Sequence, residues 1–156
     1  MLKLSLVCNS KVSYKDMSNS DNPKKGKVFQ QKVLELAKNK FQKSFIEEKV
    51  VKMGNPEKEH RFDCVASDSS VIIECKCYSW TKGNNVPSAK MATLNEAVLY
   101  LRNANSLAIK IIAMKKAFSK KRNETLAQYY LRTYGHLLND IQVWEVDEID
   151  NFYKIG

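Results

Sequence analysis

Apolar residues recur along this chain with two different periods, which alternate from one segment to the next. Residues 27–42 place apolar side chains three or four positions apart, as on one face of a helix, whereas residues 71–76 are a short, mostly apolar run typical of a strand. The whole chain then predicts the order helix, three strands, helix, strand, helix, strand. The segments are residues 27–42, 44–53, the stretch around Asp63, 71–76, a helix from Ser88, 107–114, 124–138 and 141–146.

Two neighbouring strands in this order are joined by a short turn of serine and aspartate. A tight hairpin pairs positions whose numbers have a constant sum, so we expect Cys64 to face Ile73 and Asp63 to face Glu74. Side chains alternate along a strand, which places Lys76 on the same face as Glu74. The other face carries Val71, Ile73, Cys75 and Cys77. The hairpin therefore has one chemical face and one core face.

Asp63 and Glu74 would repel each other if they lay side by side on adjacent strands. A divalent cation compensates such a pair, since Mg²⁺ takes oxygen ligands and is commonly held by one or two carboxylates, water and substrate phosphates. Lys76 would lie about 7 Å along the strand from Glu74. There it could orient a water or hydroxide and stabilise a pentacovalent phosphate. This combination suits phosphodiester hydrolysis.

Asp63 lies on one predicted strand, and the tripeptide Glu74-Cys75-Lys76 lies on the next. Together they resemble the signature of the PD-(D/E)xK phosphodiesterase superfamily. The order of elements over residues 26–146 is similar as well. The resemblance implies a restriction endonuclease-like core, with a central mixed sheet flanked by helices in the order αβββαβ and an added helix and strand. It also implies that Asp63 and Glu74 bind Mg²⁺, with Mn²⁺ as a substitute, and that Lys76 positions the attacking water. Phe62 stands where many members carry proline.

Many members of that superfamily present a glutamate from the first helix within a Gly-x-x-Phe-Glu pattern. Gly26 and Phe29 fit this pattern here, with Gln30 in the place of the acid. Gln30 falls on the buried stripe of the predicted helix, where a polar group needs a hydrogen-bond partner. We therefore predict an auxiliary role for Gln30 in the active site. Glu35 is the nearest acid, and it points away from that stripe.

A net charge of +9 on 156 residues favours a polyanionic partner, and nucleic acid is the expected one. One basic cluster follows the strand at residues 107–114, and a second candidate is the loop after Lys76, where Trp80 could stack on an unpaired base. The bland alternatives are a solvated loop, a core tryptophan and an exposed surface lysine. The candidate DNA-binding residues are Trp80, Lys82, Lys90, Lys115, Lys116, Lys120, Lys121 and Arg122.

The cysteines offer a competing interpretation, because Cys64, Cys75 and Cys77 would lie near one another on the hairpin. Structural zinc usually needs four ligands with CxxC-like spacing, which Cys75-x-Cys77 does not provide. We read them as packing residues in a reducing cytoplasm. Residues 2–8 are too short for the apolar core of a secretion signal, and no membrane span is predicted.

The sequence thus predicts one nuclease domain over residues 26–150. Residues 1–25 would form an edge-strand-like piece, over residues 2–6, and a flexible segment, and the acids from Glu145 to Asp150 would form a solvated surface. The predicted activity is that of a Mg²⁺-dependent DNA endonuclease of the resolvase or of the restriction or homing type. Because cutting both strands needs two active sites, we expect a homodimer. The alternatives are a catalytically inactive nucleic-acid-binding module with the same fold and an RNA-directed nuclease.

Overall fold

The computed structural model describes residues 22–156. Within that range, the helices are α1 (Asn22–Phe41), α2 (Ser88–Asn103) and α3 (Leu126–Tyr134), the last followed by a 3₁₀ turn, Gly135–Leu137. The strands are β1 (Phe45–Met53), β2 (Lys58–Ala66), β3 (Val71–Lys76), β4 (Ile109–Lys115), β5 (Phe118–Ser119), β6 (Glu124–Thr125), β7 (Gln142–Val146) and β8 (Phe152–Lys154). All the elements predicted over residues 27–146 are present, and β5, β6 and β8 are additional.

One mixed sheet contains six of the described strands in the order β1-β2-β3-β4-β7-β8. The first three are antiparallel neighbours, β3, β4 and β7 run parallel, and β8 returns antiparallel to β7. Parallel neighbours need long crossover connections, which α2 provides between β3 and β4 and α3 provides between β4 and β7. The carboxyl ends of β3 and β4 therefore meet at one edge of the sheet. The predicted α/β class, with a mixed sheet flanked by helices, is confirmed.

Helix α1 covers one face of the sheet through the apolar stripe that its periodicity predicts. Phe29, Val33 and Ala37 are buried against Cys64 and Ile73 and their neighbours. We call this cluster the α1-side core. The helix begins at Asn22 rather than at residue 27, so residues 22–25, which we expected to be part of a flexible connection, are helical. A proline in the first turn, as here, does not interrupt a helix.

Helices α2 and α3 cover the opposite face and form the α2-side core. Leu94 and Leu101 of α2 and Tyr130 of α3 are buried there together with Ile72 and Ile112 of the parallel strands. Both β3 and β4 are thus apolar on two faces, as expected of central parallel strands. The Tyr130 hydroxyl donates a hydrogen bond to Asn95 Oδ1 at 2.9 Å, which satisfies the polar end of this buried ring.

Thr125 links α3 to the sheet. Its side chain accepts a hydrogen bond from the Gln128 amide, and the Gln128 side chain accepts one from the Thr125 amide, which completes a capping box. The same hydroxyl donates to Glu145 Oε1 on β7 at 2.6 Å. We expected Glu145 to belong to a solvated acidic surface, and this was wrong: the side chain is buried, and burial raises the pKa of its carboxyl.

Other expectations concern the ends of the chain. The edge strand predicted at residues 2–6 lies outside the described residues. At the other end, β8 continues the sheet past residue 150, where we had placed the end of the domain. No helix within residues 22–156 combines the length and apolar character that a bilayer crossing requires.

Candidate active site

The β2–β3 hairpin has the predicted register, since Cys64 pairs with Ile73. The next pair in this register would be Asp63 with Glu74, but the paired ladder ends before it. In its place, the Asp63 carboxylate turns toward β3, and its Oδ2 atom accepts a hydrogen bond from the Cys75 amide at 2.6 Å. The strands separate at the two acids, and the Asp63 side chain bridges the gap.

The strand geometry around Asp63 is irregular, which strict alternation did not predict. Phe62 and Val65 both belong to the α2-side core, although an odd number of positions separates them, and Cys64 belongs to the α1-side core. On β1, the register places Glu48 opposite Asp63, and Glu48 has a positive φ of 53°. Positive φ is uncommon for a residue with a side chain. Both strands therefore reverse their faces at the level of the candidate site.

Burial is the main influence on the Asp63 carboxyl, and it raises the pKa of this group to about 6. The nearby Glu74 carboxylate raises it further, while the Cys75 amide and the Lys76 ammonium act in the opposite direction. Glu48 also raises it, as the smallest of these influences. Asp63 is thus a partly desolvated acid within electrostatic reach of a second one, which is the arrangement expected of a site that needs a cation.

Glu74 and Lys76 form a shielded ion pair on the face that alternation predicts. Lys76 Nζ lies 2.9 Å from Glu74 Oε1, and the two side chains are only 12% and 13% exposed. Burial alone would lower the pKa of Lys76, but its contacts with Glu74 outweigh this, and the net direction is upward. The other oxygen, Glu74 Oε2, is buried and has no hydrogen-bond donor among the described residues. A buried carboxylate oxygen without a donor is costly unless a ligand satisfies it.

These residues fit a hard divalent cation such as Mg²⁺. The Asp63 and Glu74 carboxyl groups interact electrostatically, and Glu74 offers a buried, unsatisfied oxygen. Within residues 22–156, no three or more histidine, cysteine, aspartate or glutamate side chains converge as a metal-binding group. A magnesium ion does not require three protein carboxylates, because water and substrate phosphate commonly complete its shell. Asp63 and Glu74 would hold the ion, and Lys76 would lie beside it.

Comparison with protein-family models, with curated proteins and with solved structures gave no match.

Gln30 lies where the sequence places it, buried on the inner face of α1. Its amide nitrogen donates to Glu48 Oε1 at 2.8 Å and to the Asp63 backbone carbonyl at 3.2 Å. The polar residue on the apolar stripe thus finds its partners at the candidate site. Glu35, by contrast, is exposed and pairs with Lys38 on the helix surface.

Glu48 is the residue that our sequence analysis missed. It sits opposite Asp63 on β1, accepts the Gln30 amide and lies 3.9 Å from Lys27 Nζ. The observed β1–β2 register pairs Met53 with Lys58 across a four-residue connection, and the constant-sum rule then brings Glu48 next to Asp63. A three-residue turn after Met53 would have brought Glu47 there instead, so the sequence pointed to this acidic segment without specifying Glu48.

His60 is a second unexpected neighbour. It is half-buried and stacks on Tyr100 with ring centroids 3.7 Å apart. Burial lowers the pKa of His60, and the Lys76 ammonium lowers it further, while Asp63 acts in the opposite direction. The imidazole is therefore within electrostatic reach of the candidate site.

The candidate DNA-binding residues lie on several different elements of the fold. Lys90 and Lys115 line a cleft beyond the end of β3, together with Trp80. Lys116 lies elsewhere, with its ammonium 5.4 Å from the Tyr153 ring centroid. Lys82 is exposed in the loop that leads to α2. The remaining three, Lys120, Lys121 and Arg122, lie in the turn between β5 and β6.

Trp80 and Arg122 are both held in place. The Trp80 indole nitrogen donates to the Ala117 carbonyl at 2.9 Å, and the ring packs against the α2-side core. The Arg122 guanidinium lies 5.2 Å from the Trp80 ring centroid and 5.8 Å from that of Tyr129, and its Nε donates to the Asn84 carbonyl. The segment that carries Arg122 is a short hairpin rather than the plain loop that we considered. These contacts favour the packing interpretation of Trp80 over that of a protruding stacking residue.

Cys64 is buried in the α1-side core, and Cys75 and Cys77 are partly buried and pack against that core. All three are free thiols. Burial raises the pKa of Cys75 well above its ordinary value, which keeps this thiol protonated at neutral pH.

Proposed function

We propose that this protein is a Mg²⁺-dependent endonuclease of the PD-(D/E)xK type, with DNA as its substrate. The observation that carries the proposal is the electrostatic interaction of the Asp63 and Glu74 carboxyl groups at the point where β2 and β3 separate, with Lys76 paired to Glu74. The element order α1-β1-β2-β3-α2-β4, followed by α3 and β7, supports a restriction endonuclease-like core with an added helix and strand.

The proposed chemistry is hydrolysis of a phosphodiester by water. Mg²⁺, when bound, would polarise the phosphate and offset the charge that develops on it. Asp63 and Glu74 would hold the ion. The Lys76 ammonium, fixed by Glu74, would orient the attacking water and stabilise the negative charge that grows on the phosphate oxygens. Gln30 would position the site indirectly, through its hydrogen bond to the Asp63 carbonyl.

A net charge of +9 supports a nucleic-acid substrate. Basic side chains on the cleft beyond β3 and on the β5–β6 turn would contact phosphates without reading sequence. Because one copy of the chain supplies one candidate site, cutting both strands would require a homodimer. A DNA and an RNA substrate of equal sequence, tested side by side, would distinguish a deoxyribonuclease from a ribonuclease.

A plasmid-nicking assay with Mg²⁺ and with EDTA tests the proposal. The parent should nick only with the metal, and Asp63→Asn and Lys76→Ala should lose the activity by roughly a hundredfold or more. Lys58→Ala, which removes an exposed lysine from the same strand as Asp63, is the matched control and should nick normally. Both site variants must fold and still bind DNA. Metal-dependent nicking that survives in both would discredit the site.

One observation favours a second candidate, a nucleic-acid-binding module without catalytic activity. Gln30 places an amide where the superfamily pattern expects an acid, and that amide is already satisfied by Glu48. On this view the protein binds DNA but cuts no duplex, branched or single-stranded substrate with Mg²⁺ or Mn²⁺. Restoring the acid separates the two views, since Gln30→Glu would then gain metal-dependent nicking that the parent lacks.

A further inference from the structure

A cleft of about 460 Å³ lies beyond the carboxyl ends of β3 and β4. It is bounded by the first turns of α1 and α2, and the end of β3 forms one wall. Its volume is in the range of sites that hold one small molecule. In open α/β sheets, ligands bind in crevices outside the carboxyl ends of parallel strands. Its lining includes Lys25, Cys77, Tyr78, Trp80, Lys90 and Lys115.

Positive charge converges on this cleft. Lys25, Lys90 and Lys115 come from three separate elements, and none of the described residues that line the cleft is acidic. Burial raises the pKa of Cys77, and Lys115 and Lys25 oppose that rise, so both ammonium groups lie close to the same thiol. An anion bound in this volume would therefore have ammonium groups around it from three elements of the fold.

The start of α2 adds to the positive potential. Its N-cap residue is Pro87, which lines the cleft and makes no side-chain cap hydrogen bond. The amino-terminal end of a helix carries a partial positive charge that favours a nearby anion. The cleft is therefore electropositive from both side chains and backbone, and a phosphate group matches it.

Two aromatic rings border the same volume. Lys90 Nζ lies 5.0 Å from the Tyr78 ring centroid, and the Trp80 ring is fixed by its hydrogen bond to Ala117. Aromatic rings beside a basic groove are typical of proteins that bind single-stranded nucleic acid, where they contact bases or sugars. Phosphate-binding and base-binding groups therefore lie side by side.

We propose that this cleft binds one unpaired nucleotide of the substrate, with its phosphate among Lys25, Lys90 and Lys115 and its base or sugar against Tyr78 and Trp80. The cleft can hold a single nucleotide and has no room for a base pair. Cys75 and Cys77 line the cleft from the face of the chain opposite to Lys76, but Tyr78, which also lines it, lies within electrostatic reach of the Lys76 ammonium. The nucleotide would therefore lie at the end of β3, next to the candidate site. The substrate would then be DNA with an unpaired nucleotide near the cut, as at a branch, nick or frayed end. The inference that the bound nucleotide belongs to a DNA substrate rests on the proposed nuclease function.

Tryptophan fluorescence in EDTA tests the cleft without any metal or catalysis. The titrant is thymidine 5′-monophosphate, and Trp144→Phe serves as the background because it leaves Trp80 as the reporter. Saturable binding is expected, and Lys90→Gln should weaken it roughly tenfold through the loss of one charged contact. Lys58→Gln removes the same charge from the far end of β2 and should bind like the background protein. Thymidine, which has no phosphate, should bind at least tenfold more weakly.

Absence of saturable binding, or equal weakening by Lys90→Gln and Lys58→Gln, would overturn the cleft whatever the nicking assay shows. Binding of the nucleotide by a protein that cuts no DNA would support the cleft and reject the nuclease. A second measurement tests the substrate class: Lys90→Gln should slow cutting of a forked DNA at least fivefold more than cutting of a blunt duplex. Equal slowing of both substrates would overturn the preference for an unpaired nucleotide.

Discussion

Replacing Asp63 by asparagine should make the metal-free protein more stable at neutral pH. The carboxyl has an ordinary pKa of 3.8, and burial and Glu74 raise it to about 6 in the folded protein. A raised pKa means that the folded state holds the proton more tightly than the unfolded chain does. Folding stability therefore falls as the pH rises from about 4 to about 6, and it stays low above that range.

The size of the effect follows from the same values. Moving a pKa from 3.8 to about 6 corresponds to about 3 kcal/mol of destabilisation once the group is ionised. Asparagine has no charge to desolvate, and its side-chain oxygen can still accept the Cys75 amide. We expect Asp63→Asn to gain up to about 3 kcal/mol at pH 7.5, or roughly 6 to 12 °C in Tm for a chain of this length.

Urea unfolding in EDTA at pH 7.5 and pH 4 measures the difference between the variant and the parent. The gain should be largest at pH 7.5 and close to zero at pH 4, where the parent Asp63 is itself protonated. Glu35→Gln is the control: it neutralises an exposed acid of α1 and should change the free energy of unfolding by less than about 0.5 kcal/mol at either pH. A variant that is less stable than the parent at pH 7.5, or a gain independent of pH, would refute the reasoning.

Three further predictions concern the same region and its support. Mg²⁺ should raise the Tm of the parent, and by more at pH 7.5 than at pH 5, because Asp63 must lose its proton to bind the ion. Asp63→Asn should show little of this gain, and equal gains in both proteins would exclude Asp63 as a ligand. Gln30→Ala should destabilise the fold by about 1 to 3 kcal/mol in urea, because the Asp63 carbonyl and Glu48 lose a donor, whereas Gln31→Ala on the exposed face of α1 should be nearly neutral; similar losses in both would indicate a general helix effect. Thr125→Ala should lower the free energy of unfolding by about 1 to 3 kcal/mol, because the helix cap and the hydrogen bond to the buried Glu145 are both lost. Thr125→Ser keeps the hydroxyl and should retain most of the stability. A serine variant as unstable as the alanine variant would show that the hydroxyl is not the stabilising group.

The sequence was sufficient to predict the main elements and the face of Glu74 and Lys76. Hydrophobic period and a short polar turn determine both, and the register at Cys64 and Ile73 followed from the turn alone. Elements of two or three residues, such as β5 and β8, carry too few positions for a period to be visible.

The geometry at Asp63 could not be predicted by the same rules. Strict alternation requires that every second side chain of a strand points to the same side of the sheet. Here this pattern reverses within β1 at Glu48 and within β2 at Asp63. The burial of Glu145 was also missed, because acids near the end of a chain are usually solvated. Its partner Thr125 lies twenty positions earlier, and only the packing of α3 onto β7 brings the two together.

The anchoring of Arg122 changes the thermodynamics of any phosphate contact that it makes. A flexible arginine gives up its rotational freedom when a ligand arrives, which costs roughly 0.5 to 1.5 kcal/mol. Here the side chain is already restrained by Trp80, Tyr129 and the Asn84 carbonyl in the unbound protein. That rotational entropy is lost when the protein folds. Binding of a polyanion would therefore have a smaller entropic cost at Arg122 than at the neighbouring Lys120 and Lys121 side chains, which lack such contacts within the part of the chain that the structure describes.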